Sequence, residues 1–244
     1  ISRLLAYSCR DGFKTMLAAM LEVLAIVHLE RSVAHMAAIE SQASKAQGYV
    51  KDFFGKLFLR DYVTTQNERR IEFEHYYDPD TGENLTSSEF WKVTPDQRSQ
   101  YVLKKNYIQI IICTMAGANS EHVPFFVVDE VDVVQNPRAY KEAKFIASRF
   151  GDKNPITLLV STRKTGVGLV QKEIDDAEAA ARKAQTGAIP LQVRHWNAID
   201  ITEACLPERH QPEKPKVVLY YSDEDLAHVT QAEDALLDVE SQKK

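Results

Sequence analysis

The sequence predicts an α/β fold, a mostly parallel sheet flanked by helices, and three observations carry that prediction. First, Phe125-Phe126-Val127-Val128 is four apolar residues without alternation, the pattern of an inner strand buried on both faces. Second, that run ends in two carboxylates, Asp129-Glu130, and such a polar strand end is where open α/β sheets hold ligands. Third, segments of strand and helix length alternate from the start of the chain, as crossover connections between parallel strands require.

Residues 4–7 are short and apolar, and 8–15 lead into a Leu-, Ala- and Met-rich stretch, 16–30, with the composition of a buried helix. Residues 32–39 read as a second strand, and Ser41 as the cap of a helix reaching about residue 58. Residues 64–105 are more polar. There Asp78-Pro79-Asp80-Thr81-Gly82 is a turn signal between 70–76 and 90–93, predicting a β-hairpin excursion on the sheet edge.

Strands follow at 107–113, 125–130 and 156–160, with a helix over 137–150 whose first residue, Pro137, needs no N–H partner there. An amphipathic helix is expected over 169–185, with Gly187 beyond its end, then strands at 191–196 and 216–221 and a helix over 223–239. The expected organisation is one domain, 1–222, with the 64–105 excursion inside it and a terminal helix and tail, 223–244.

The chain of 244 residues can bury a large core, and 44% apolar with 27% charged residues is ordinary for a globular protein. Its net charge of −5 excludes coating nucleic acid by bulk positive charge and leaves a local basic groove open. Cys9, Cys113 and Cys205 are too scattered for a disulfide framework, which favours a reducing compartment. Apolar runs are too short to span a membrane, and no leader pattern precedes the first strand, so the opening at Ile1 reads as that of a trimmed fragment.

A phosphate-binding loop needs a strand, a turn with inward N–H groups, a lysine for the β and γ phosphates, and a hydroxyl for Mg²⁺ at a helix start. Against G-x-x-x-x-G-K-[ST], residues 8–15 supply Lys14 and Thr15, while Ser8 and Phe13 stand at the two glycine positions and the one glycine is Gly12. Asp129 then suits the metal's water shell and Glu130 the attacking water. Ser161-Thr162-Arg163, ending the next strand, places hydroxyls and a cation where the γ phosphate could be sensed. A surface lysine and a solvated acidic turn are the plain alternatives, and the agreement of three strand ends weighs against them.

These residues resemble the ATPase part of the large terminase subunit, the DNA-packaging motor of tailed bacteriophages. Cys9-Arg10-Asp11-Gly12-Phe13-Lys14-Thr15 resembles that family's deviant loop S-R-x-x-G-K-[ST] at Arg10, Lys14 and Thr15, and departs from it at Cys9 and Phe13. Residues 127–132 match its hydrolysis motif, Ser161-Thr162-Arg163-Lys164 its coupling motif, and 196–197 with 200–210 a stretch found in one branch. The resemblance implies a RecA-like P-loop ATPase fold, with ATP and Mg²⁺ as cofactors and Arg10 as a finger on the γ phosphate. It also implies double-stranded DNA, a procapsid portal protein and a small terminase subunit as partners. Assembly would be a homo-oligomeric ring, the isolated chain being a candidate monomer, in the host cytoplasm while docked on the procapsid. The family's nuclease domain has no room after residue 223, so no cutting is expected of this fragment.

Two other readings compete. Asp129-Glu130-Val131-Asp132 has the D-E-x-D form of a helicase's first motor domain, which would require a second motor domain. A non-catalytic nucleotide-binding assembly module would explain Ser8 and Phe13, but not the retained Glu130. Cys205, His210 and His195 could ligate zinc, although paired cysteines are absent.

Overall fold

The computed structural model describes residues 2–8, 13–148, 153–162, 168–183 and 191–196. By compactness the chain divides into residues 1–7 with 13–194 and residues 8–12 with 195–244; of the second unit only Ser8, His195 and Trp196 are described. The expected strand at 216–221, the helix at 223–239 and the zinc candidates Cys205 and His210 lie outside the described residues.

The elements run β1 (Ser2–Ser8), α1 (Lys14–Leu29), β2 (Val33–Ala37), α2 (Glu40–Phe54), α3 (Leu57–Arg60), β3 (Val63–Gln66), β4 (Arg70–Tyr77) and β5 (Asn84–Leu85). They continue as α4 (Ser87–Phe90), α5 (Pro95–Arg98), β6 (Val102–Ile112), α6 (Met115–Ala118) and β7 (Phe125–Asp129). After a 3-10 turn at Val131–Val133 come α7 (Pro137–Ala143), β8 (Ile156–Ser161), α8 (Leu169–Lys183) and β9 (Gln192–Trp196). Among the described residues the strands form one sheet in the order β3-β4-β6-β2-β7-β8-β1-β9, with β5 bonded to β4.

The centre of the sheet, β6-β2-β7-β8-β1, is parallel throughout. β2 and β7 are buried at every residue, which is why their sequences do not alternate. Side chains still alternate between faces. Ala34, Met36, Phe126, Val128, Leu5 and Leu159 join one apolar cluster with Tyr140 of α7 and Val170 of α8. His35, Val127 and Asp129 therefore point to the opposite face, where α1 and α2 pack. Among the described residues, no helix is long and apolar enough to cross a membrane.

The 64–105 excursion does extend the sheet edge, with a different pairing from the one expected. The turn at 78–82 closes a short hairpin onto β5, not onto 90–93. The principal partner of β4 is β6, paired antiparallel from Tyr77↔Val102 to Arg70↔Gln109, so β6 begins five residues before the expected strand at 107. Residues 87–90 are helical because Thr86 and Glu89 form a reciprocal capping box, and Phe90 stacks on Tyr76 with centroids 3.6 Å apart. Ser41 lies inside α2; Ile39 is its N-cap and makes no side-chain cap bond. The helix expected over 137–150 ends at Ala143, because Ala147 bridges Val123 as a further strand-like contact.

Candidate functional site

Three neighbouring parallel strands end together. Asp129 of β7 is level with Val160 of β8, and Val160 with Ala6 of β1, so the residues that follow emerge at one edge of the sheet. Crossover connections leave that edge open at the strand carboxyl ends.

Phe13 is the N-cap of α1 and sits in the left-handed region at φ 54 and ψ 18, a conformation that a glycine adopts freely and a phenylalanine does not. Its position is that of the second glycine of the phosphate-loop pattern, and the residue is 61% exposed. Lys14 follows as the first helical residue and is buried. Ser8 ends β1, while Cys9, Arg10, Asp11 and Gly12 lie outside the described residues.

Thr15 Oγ1 donates to Asp129 Oδ2 at 2.9 Å, joining the first turn of α1 to the end of β7. Asp129 is 1% exposed and its other oxygen, Oδ1, is buried with no hydrogen-bond partner among the described residues. A hydroxyl and a carboxylate with a spare oxygen are hard donors, and such a pair fits Mg²⁺, which binds one or two protein oxygens and keeps water and phosphate oxygens for the rest.

Glu130 is also left-handed, at φ 55 and ψ 54, which turns its side chain off the strand axis. A non-glycine residue held there costs about 1–3 kcal/mol, a strain that recurs at functional sites. Its carboxylate faces the end of β8: the Thr162 N–H and Oγ1 lie 3.4 Å from Oε2 and Oε1. Contacts this long leave both oxygens able to take a closer donor such as water.

The same edge carries a hydrogen-bonded link from β7 through β8 to α8. Ser161, fully buried, accepts from the Asp132 N–H at 3.1 Å, and Asp132 Oδ1 accepts from the Val170 N–H at 2.8 Å, capping the start of α8. Gly168 allows this, since a Cβ there would come within 2.5 Å of Asp132 Oδ1. Glu173 of α8, buried, binds Arg3 of β1, Tyr140 of α7 and Lys144, so the helix is anchored through its first two turns. Arg163 lies outside the described residues.

Sequence reading missed one buried pair. Glu22 of α1 and His35 of β2 are ion-paired and wholly shielded from solvent. Burial opposes charge on the imidazole, but the Glu22 carboxylate, its hydrogen bond and the charge of Asp129 outweigh it and raise the His35 pKa. The only signal in the sequence was one charged or polar residue inside each of two apolar runs. A cavity of about 380 Å³, lined by Lys104, Lys105, His122 and Lys153, lies near the opposite, amino-terminal ends of β2, β7 and β8 and contains none of the site residues.

No family model matches the chain, and no curated protein matches it in sequence. Solved structures do match. A large terminase ATPase domain from Thermus phage P74-26 aligns at 14% identity over 91% of this chain and 84% of its own, with a TM-score of 0.54. A variant of that domain aligns over 85% and 80% with a TM-score of 0.56 and the same 14% identity. The large terminase of bacteriophage HK97 aligns at 14% over 96% of this chain and 43% of its own, with a TM-score of 0.57. Identity this low speaks to architecture, and the architecture of this chain is that of the large-terminase ATPase domains.

Proposed function

We propose that this chain is an ATPase that converts hydrolysis into movement of double-stranded DNA into a procapsid, as the motor part of a large terminase subunit. The observation that carries the reading is the Thr15–Asp129 hydrogen bond beside Glu130. It brings the Thr15 hydroxyl, the Asp129 carboxylate and Glu130 together at the carboxyl-terminal edge of the parallel sheet. The large-terminase fold supports it.

In this reading residues Ser8 to Phe13 wrap the phosphates with their N–H groups and Lys14 holds the β and γ oxygens. Thr15 and Asp129 hold Mg²⁺, which when bound neutralises charge on those oxygens. Glu130 orients the attacking water and takes its proton. Arg10 stabilises charge developing on the γ phosphate, an effect to which the planar guanidinium is suited. Ser161, Thr162 and Arg163 couple loss of the γ phosphate to the DNA-contacting parts, through the link to Asp132 and α8.

The partners in this reading are double-stranded DNA, a portal protein, a small terminase subunit and further copies in a ring. The test is MgATP turnover by the chain, alone and with double-stranded DNA and portal-bearing procapsids. Turnover that rises with DNA and is lost in Lys14→Ala supports the reading. No turnover under any of these conditions overturns it.

A further inference from the structure

Helix α1 meets the sheet through two polar bridges spaced seven residues apart, which is two helical turns along one face. The upper bridge is Thr15 to Asp129, and the lower is Glu22 to His35. Between them the same stripe is apolar and closed, with Ala18 and Ala19 buried. On the sheet side β2 and β7 pair in parallel with Ala37 opposite Asp129 and His35 opposite Val127. Thus His35 and Asp129 share a face, with His35 one side-chain repeat further from the strand ends.

The bridges also share an incompleteness. Among the described residues five buried side-chain atoms lack a hydrogen-bond partner, and three belong here: Glu22 Oε2, His35 Nε2 and Asp129 Oδ1. The groups facing His35 are the carboxylates of Glu22 on α1 and Asp129 on β7, whereas its register neighbour on β6 is Ile110 and the buried residues of α2 are Ala43, Ala46, Gln47, Val50 and Phe54. A buried ion pair with unmet hydrogen-bonding capacity is poor value as a stabiliser, because well-packed apolar residues do as well. Its position on the face that carries Asp129, one side-chain repeat further from the strand ends, suggests another use.

We propose that Glu22 and His35 are positioning residues for Asp129: the buried pair fixes how α1 lies on the face of the sheet that carries Asp129, and so holds the Asp129 carboxylate turned toward Thr15 for the metal. The inference rests on the reading of Asp129 as a metal-holding residue. His35 touches neither nucleotide nor metal and acts through Asp129. Without the pair, α1 loses its second polar bridge to this face, and the Thr15–Asp129 geometry loosens.

The test uses the full chain with His35→Gln and with the apolar pair Glu22→Leu/His35→Leu, the second protecting against a variant that fails to fold. Nucleotide binding is titrated directly, with and without Mg²⁺, alongside the Mg²⁺ dependence of turnover. Both variants are expected to need about 10–100-fold more Mg²⁺ for half-maximal nucleotide binding and turnover, the range seen when groups supporting a metal ligand are removed. Metal-free nucleotide affinity and turnover at saturating Mg²⁺ should stay near those of the parent. If the apolar pair folds with the parent's Mg²⁺ requirement, the Glu22–His35 pair is structural only and the proposal is overturned. Absence of turnover in the parent would count against the ATPase reading, while the direct binding titration would still decide the positioning role.

Discussion

Thr15 Oγ1 donates to Asp129 Oδ2 at 2.9 Å, linking residues 114 positions apart at the mouth of the parallel sheet. Thr15→Val keeps the shape and removes the hydroxyl. The requirement for Mg²⁺ should rise by about 10–100-fold, and Thr15→Ser should restore it. Measuring turnover against Mg²⁺ concentration for the three proteins checks this; equal requirements would detach Thr15 from the metal.

Phe13 carries a left-handed backbone with an exposed ring, so replacing it removes strain and little packing. Phe13→Gly should stabilise the protein by about 1 kcal/mol, the left-handed penalty less the entropy that glycine adds to the unfolded chain. The urea midpoint reports it, and an unchanged or lower midpoint would show that the ring contributes more than its exposure indicates.

Much of this arrangement was legible in the sequence, for identifiable reasons. Asp129 and Ser161 stand out because the strands before them are buried on both faces and so read as unbroken apolar runs. Lys14 and Thr15 open a helix whose composition leaves little choice. The Phe13 backbone, too, agrees with the glycine that the loop pattern asks for. The edge of the sheet was harder, because β6 starts with Val102-Leu103-Lys104-Lys105, whose lysines reflect antiparallel pairing at a wetter edge. The short helix capped by Thr86 and Glu89 stands where the sequence led to the expectation of a hairpin arm at 90–93. Glu22 and His35 were invisible as a pair because their meeting depends on how α1 lies across β2, which no local pattern encodes.

Ser161 is fully buried and its hydroxyl satisfies the Asp132 N–H. Ser161→Ala removes that hydrogen bond and should cost about 0.5–1.5 kcal/mol of stability. If the link to α8 couples hydrolysis to DNA, stimulation of turnover by DNA should fall more than the turnover measured without DNA. Equal losses in the two would restrict Ser161 to a structural role.

Glu72 supplies a pH signature away from the site. Hydrogen bonds from Arg70 and Lys105 hold its carboxyl down to about 2, from an ordinary value near 4.5. A depressed folded pKa contributes stability that is complete above the unfolded value and lost as pH falls toward the folded one. Stability of the parent should therefore fall between about pH 4.5 and 2 more steeply than that of Glu72→Gln. Parallel curves from denaturant titrations over this window would remove Glu72 from the acid response.

Glu130 is the residue on which the hydrolytic reading turns, since it is the candidate base and is held in a strained backbone beside Asp129. The most direct measurement compares Glu130→Gln with the parent in nucleotide binding and in single-turnover hydrolysis of MgATP. The expected result is nucleotide affinity within a few-fold of the parent and hydrolysis slowed by about 10²–10⁴-fold, the usual contribution of a positioned general base. Hydrolysis at the parent's rate in Glu130→Gln would contradict the assignment and with it the proposed mechanism.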